Sequence, residues 1–209
     1  MFILGLTGSI GSGKSTAAAM LRRMFIAVHD ADAAVHQLTG PGGAAVAEIE
    51  AAFPGVVADG AVDRAALGAR VLGDDTALVR LEAILHPMVR QATYRFLAIN
   101  ARRQAALVVL DVPLLFETGG DARCDAVAVV HCSPGIQRRR VLARPGMNAT
   151  RYAAILARQM PAAEKLRRAD FPIQTGLGKK PTLWQLAEVV KLVSGRKGRA
   201  WPGAWMQGR

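Results

Sequence analysis

Apolar positions along the chain fall into two regimes. Short unbroken apolar runs occur at Phe2–Thr7, Ile26–His29, Ala106–Asp111, Ala126–Cys132 and Phe171–Ile173, and helical periodicity fills the stretches between them. A run such as Leu107-Val108-Val109-Leu110, with no polar alternation, suits a strand buried on both faces. Strands alternating with helices predict an α/β fold: an open, five-stranded parallel sheet with helices on both faces. From about Ala31 to Arg103 no run reads as a strand. One helical pattern there covers Asp63–Leu72, with Asp63 as N-cap after the Asp59-Gly60 turn. Another begins near His86-Pro87, because a proline biases the residue before it out of the α region. A second helical excursion follows the fourth strand: Pro134–Arg144, a break at Pro145-Gly146, then Tyr152–Met160 before Pro161.

The first strand runs directly into Gly8-Ser9-Ile10-Gly11-Ser12-Gly13-Lys14-Ser15, a complete GxxxxGK[ST] loop, and Ser15 to Phe25 then reads as a helix. Strand, loop and helix follow in the order that the motif's mechanics demand. The glycines let main-chain N–H groups turn inward around phosphate oxygens, Lys14 reaches the β- and γ-phosphates, and the Ser15 hydroxyl can ligate Mg²⁺. The helix N-terminus adds its dipole to the same anion. The loop establishes binding of nucleotide phosphates and leaves the reaction open.

With this loop placed, the chain divides into a nucleotide-binding core (1–30, 104–136 and 169–194), a helical acceptor-binding insertion (31–103), a basic lid (137–168) and a loose tail (195–209). At 209 residues and 51% hydrophobic content, such a core can bury itself as one domain with an insertion. No apolar stretch approaches the ~18 residues of a membrane span, so a cytoplasmic location is the expectation. Cys124 and Cys132 have no metal-ligand spacing and read as reduced, buried thiols. The formal charge of +11 raises the question of nucleic acid. Its distribution answers it: nine Lys/Arg against the single acid Glu164 lie between Gln137 and Arg168, four more basic residues lie in the tail, and the remainder is nearly neutral. A local basic segment beside a phosphate loop serves polyanionic substrates. With two tyrosines and no RNA-binding signature, base stacking has little support.

Phosphoryl transfer to a hydroxyl also needs a metal, positive charge on the moving group, and a group that orients or deprotonates the acceptor. Asp30 and Asp32 lie just beyond the second strand, where ligands of open α/β sheets sit; Asp32 is the candidate general base and Asp30 the cap of a helix over Ala31–Leu38. Asp111 ends its apolar strand as a Walker-B-type acid does, which leaves a metal role and an acceptor-side role equally open. Arg140 and Arg144, four apart, would share a helix face and act as arginine fingers in cis, while Arg138 and Arg139 read as a solvated basic face. His29, His36 and His131 show no metal spacing, and His86 reads as a packed or capping residue.

Taken together, these residues resemble the dephospho-CoA kinase family. The resemblance rests on Leu6-Thr7-Gly8 through Ser15-Thr16, Val28-His29-Asp30-Ala31-Asp32, Asp63-Arg64 with Leu67, and Leu81-Glu82-Ala83-Ile84-Leu85-His86-Pro87. It continues through Asp111-Val112-Pro113-Leu114-Leu115-Phe116-Glu117, Gln137 with Arg140 and Arg144, and Gln159 with Lys165 and Ala169-Asp170. It implies a P-loop kinase that uses MgATP to phosphorylate the ribose 3′-hydroxyl of dephospho-CoA, the last step of coenzyme A biosynthesis. It also implies roles: Asp32, Lys14 and Arg140 as catalytic residues; Gly8, Gly11, Ser12, Gly13, Lys14, Ser15, Thr16 and Arg144 around ATP. Asp32, His86, Asp111, Pro113 and Leu114 would lie at the acceptor, and Ser15 with Asp111 at the metal. The same fold with a nucleoside monophosphate as acceptor is the alternative, against which the Asp111–Glu117 segment and the helical insertion both argue. Two departures from the family pattern stand out: Met24-Phe25 where a glycine usually precedes the second strand, and Ile173-Gln174-Thr175-Gly176 near the adenine side.

Overall fold

The computed structural model describes residues 1–206. The chain forms two compact units, Met1–His29 with Ile99–Arg209, and Asp30–Ala98.

The first unit is built on a five-stranded sheet of β1 (Phe2–Thr7), β2 (Ala27–Asp30), β5 (Leu107–Asp111), β6 (Ala126–His131) and β7 (Phe171–Gln174), in the order β2-β5-β1-β6-β7. Strand β1 is buried at every residue, and runs parallel to both β5 and β6. Side-chain alternation explains why it carries no polar face. Phe2, Leu4 and Leu6 pack with Ala17 and Leu21 of helix α1 (Lys14–Arg23) and with Leu186, Val189 and Val193 of helix α9 (Lys179–Ser194). On β6, Val127 and Val129 pack instead with Leu115, Phe116, Met160 and Leu166. The latter lies on α8 (Ala162–Arg168), which follows α6 (Pro134–Leu142) and α7 (Ala149–Ala157). The basic segment 137–168 lies within this unit.

Within the segment expected to be a loose tail, residues Arg199 to Trp205 make specific contacts. Asp125 accepts hydrogen bonds from the N–H groups of Arg199 (2.5 Å) and Ala200 (2.8 Å) through one oxygen and from Ile3 (2.7 Å) through the other. Trp205 Nε1 donates to the Arg123 carbonyl at 3.0 Å. Residues 207–209 of the expected tail lie outside the described residues. The sequence carried no period here because these are single contacts to distant loops, which leave no repeating pattern.

In the second unit, helices α2 (Ala31–Thr39), α3 (Val46–Ala52), α4 (Arg64–Val71) and most of α5 (Asp75–Arg102) surround a core of Ile49, Phe53, Val56, Val62, Leu67 and Val71. Asp63 caps α4 as expected, accepting from Ala65 and Ala66 N–H. Two expectations fail. A two-stranded hairpin, β3 (Val57–Ala58) with β4 (Ala61–Val62), closes around Asp59-Gly60, whose φ values of 50° and 73° suit a tight hairpin turn. Two-residue strands are too short to show a period. His86-Pro87 starts no helix either: α5 runs unbroken past it. Proline removes one main-chain donor and crowds the preceding turn, but Leu81, Ile84, Leu85 and Met88 pack on the unit's core from both sides of it.

Candidate active site

The phosphate loop leaves β1 at Thr7 and enters α1 at Lys14. Gly11 and Gly13 hold φ of 75° and 96°, the left-handed region that glycine alone enters without strain. Space makes the same demand. A Cβ on Gly11 would stand 2.5 Å from Val141 Cγ2, and one on Gly13 would stand 3.2 Å from Thr175 Oγ1. The loop is thus pressed between α6 and the residue that follows β7.

Three cationic side chains sit around it. Lys14 Nζ lies 2.6 Å from Asp111 Oδ1, a carboxylate only 2% exposed. The parallel register sets up that meeting, since Asp111 stands opposite Leu6 on the neighbouring strand. Thr7 Oγ1 donates to the Pro113 carbonyl at 3.0 Å and so ties the segment after β5 to β1. Arg140 donates to Thr175 Oγ1 (3.2 Å) and to the Thr175 carbonyl (3.0 Å). Thr175 Oγ1 in turn shares its proton between the carbonyls of Ser12 (2.5 Å) and His131 (3.1 Å). This threonine, next to Gln174 in the stretch that departs from the family pattern, thereby joins the loop, β6 and Arg140. Behind the loop, Lys165 is fully buried and pairs with Glu117 at 2.8 Å, and it lines a small cavity with Ser9, Ser12 and Gln137. Burial pushes the Glu117 carboxyl up, but hydrogen bonds from Lys165 and from the Met160 N–H outweigh it and hold the group below its ordinary value.

The structure therefore brings together, within the first unit, the loop residues Gly8 to Thr16 with Asp111, Pro113 and Arg140. Leu114 is exposed on the turn after β5. Arg144 differs from expectation: α6 ends at Leu142, so Arg144 lies beyond the cap and shares no helical face with Arg140. Asp32 and His86 belong to the second unit. Asp32 is exposed in the first turn of α2, which Asp30 caps through a 3.0 Å bond from Ala33 N–H. His86 is exposed along α5, neither a cap nor a packed residue. Both cysteines are free thiols and only partly covered as whole residues, though burial pushes the Cys124 thiol up to about 12. Thr175, Gln137, Gln159 and the Lys165–Glu117 pair were not read as working parts of the site; the last four residues signalled themselves only by membership in the matching motifs, and Thr175 only by lying in the stretch that departs from the family pattern.

A parallel sheet, a GxxxxGKS loop entering a helix, and an acid on the adjoining strand paired with the loop lysine define a P-loop kinase fold. The family model described as dephospho-CoA kinase matches residues 2–178, and the chain belongs to that family. Dephospho-CoA kinase of Paramagnetospirillum magneticum is 62% identical over 197 residues, covering 94% of this chain and 93% of its own. That of Mesorhizobium japonicum is 53% identical over 198 residues, covering 95% and 100%. A crystal structure of a Thermus thermophilus protein superposes with a TM-score of 0.81 at 36% identity, covering 91% of this chain and 96% of that one. No helix among the described residues is long and apolar enough to cross a membrane.

Proposed function

We propose that this protein transfers the γ-phosphoryl group of ATP to the ribose 3′-hydroxyl of dephospho-CoA, giving coenzyme A and ADP. One observation carries this reading: the family match spans the phosphate-loop unit and the Asp30–Ala98 unit alike. A P-loop kinase of another acceptor would share the first and diverge in the second, because acceptor specificity lies in the insertion.

The acceptor oxygen attacks the γ-phosphorus, the bond to the β-phosphate oxygen breaks, and Asp32 takes the hydroxyl proton. Exposed at the start of α2, Asp32 is open to a substrate. Loop N–H groups from Gly11 to Thr16, with Gly8 allowing the turn, hold the donor phosphates. Lys14 moves from Asp111 towards the charge that develops on them, and Arg140, already aimed at the loop through Thr175, supplies a second cation. Arg144 contributes from the turn between α6 and α7, and closure of this part of the 137–168 lid over the donor excludes water so that ATP is not hydrolysed. Pro113, Leu114 and His86 contact the acceptor.

The chemistry of two hard oxygen donors, the exposed Ser15 hydroxyl and the Asp111 carboxylate, fits Mg²⁺, and these two residues would hold it together with the donor phosphates. Bound there, the ion would offset charge on the β- and γ-phosphates. The basic stretch meets the polyanionic substrates rather than nucleic acid, and ATP as donor supports a cytoplasmic location.

ADP release with MgATP, measured against dephospho-CoA, AMP, CMP and small hydroxylated metabolites, tests this. Stimulation by dephospho-CoA alone is expected; stimulation by another acceptor without it overturns the reading.

A further inference from the structure

Ile10, at the tip of the phosphate loop, has both its peptide groups held by side chains from the basic segment. Its carbonyl accepts from Gln137 Nε2 at 2.7 Å, and its N–H donates to Gln159 Oε1 at 3.0 Å. The assignment of oxygen and nitrogen in these two amides follows from chemistry, since a main-chain N–H only donates and a carbonyl only accepts. Neither contact is incidental. Gln137 is 8% exposed on α6, whose carbonyl at the same residue would lie 3.0 Å from a Cβ on Gly11. Gln159 precedes Met160, whose N–H donates to Glu117 at 2.8 Å, and Glu117 is paired with buried Lys165. Both halves of the clamp thus rest on anchored chain.

We propose that Gln137 and Gln159 are positioning residues for the nucleotide: by fixing the Ile10 peptide they pre-orient the N–H groups that follow it. A loop with two glycines at positive φ has much freedom to lose, and whatever ordering the clamp supplies beforehand is not deducted from ATP affinity at binding. The inference rests on the reading of this loop as the ATP site.

The opposite polarity of the two contacts provides the test. Gln159→Glu keeps an acceptor for the Ile10 N–H, whereas Gln137→Glu sets a carboxylate oxygen against the Ile10 carbonyl. MgATP binding is measured by titration without acceptor, alongside the KM for each substrate. Gln137→Glu is expected to weaken ATP binding by about tenfold or more, and Gln137→Met, which only removes the donor, by about fivefold. Gln159→Leu should cost about fivefold, and Gln159→Glu should recover most of that loss. The KM for dephospho-CoA stays within about twofold throughout, a split that general loosening of the fold would not produce. Equal effects of the two glutamates, parallel movement of both KM values, or unchanged ATP binding in Gln137→Met overturns the proposal. Failure of the parent protein to bind MgATP would instead overturn the donor-site reading, and binding without dephospho-CoA turnover the acceptor reading alone.

Discussion

In the phosphate-loop unit, the working main chain is held by side chains from far along the sequence: Ser12 by Thr175, Ile10 by Gln137 and Gln159, and the loop lysine by Asp111. In the Asp30–Ala98 unit, helix starts are held by their own neighbours. Asp30 caps α2 from three residues away, Asp63 caps α4 from two and three, and Asp74 accepts from Ala77 N–H at the start of α5. The difference follows from what each must do. A loop that wraps phosphates needs N–H groups kept for its ligand, so beyond the internal bond from the Ser12 N–H to the Ser9 carbonyl at 3.0 Å its bracing comes from outside. A helix start has orphan N–H groups that a local carboxylate can take up.

The largest expected effect probes Asp32, an acid in the first turn of α2 that leaves the capping to Asp30. Asp32→Asn should lower turnover by roughly 10²–10⁴ if Asp32 is the general base. Its melting temperature should stay at that of the parent; normal turnover would deny Asp32 the role of general base.

Next comes the buried pair behind the loop. Glu117→Gln should destabilise the protein by about 3 kcal/mol in denaturant melts, because the fully buried Lys165 ammonium loses its charged partner, whereas Lys165→Met should cost less, since Glu117 is only partly covered and keeps its bond from the Met160 N–H. The pH dependence carries a sign. Glu117 titrates below its ordinary value when folded, so its contribution is complete above about pH 4.3, the unperturbed value, and is lost as pH falls through the lowered one. Stability measured between pH 6 and 3 should fall more steeply in the parent than in Glu117→Gln. Parallel curves would deny the pair its role in bracing from a distance.

A local cap should behave differently. Asp63→Ala is expected to cost about 1 kcal/mol of stability, with ATP affinity unchanged. A change in ATP affinity would erase the contrast between the two regions.

The smallest effect concerns the end of α1, where Phe25 holds φ of 60° and is almost fully exposed. The family's usual glycine meets that left-handed geometry without strain. Phe25→Gly should therefore stabilise by about 0.5 kcal/mol, read as a raised denaturant midpoint.

Legibility divides along the same line as the bracing. The strands at Phe2–Thr7 and Leu107–Asp111, the loop at Gly8–Ser15 and the caps at Asp30 and Asp63 could all be read from the chain. Each depends on residues within a few positions, where pattern and spacing carry the information. The β3–β4 hairpin is not legible because two residues show no period, and the unbroken course of α5 is not legible because the local cost of Pro87 is outweighed by packing on both sides of it. The tail's attachment to Asp125 and Arg123 left no local trace at all.

Sequence alone was enough to establish a phosphate-binding loop on a parallel sheet, a family resemblance and a short roster of acids and arginines around it, since motifs are contiguous and strands declare themselves by unbroken apolar runs. Folding in three dimensions settled what that roster touches. It paired Lys14 with Asp111 across 97 positions, set Thr175 on Ser12 across 163, and closed two glutamines on Ile10 across 127 and 149. Side-chain contacts at such separations are fixed by how strands and helices stack, and no local pattern in the chain encodes them.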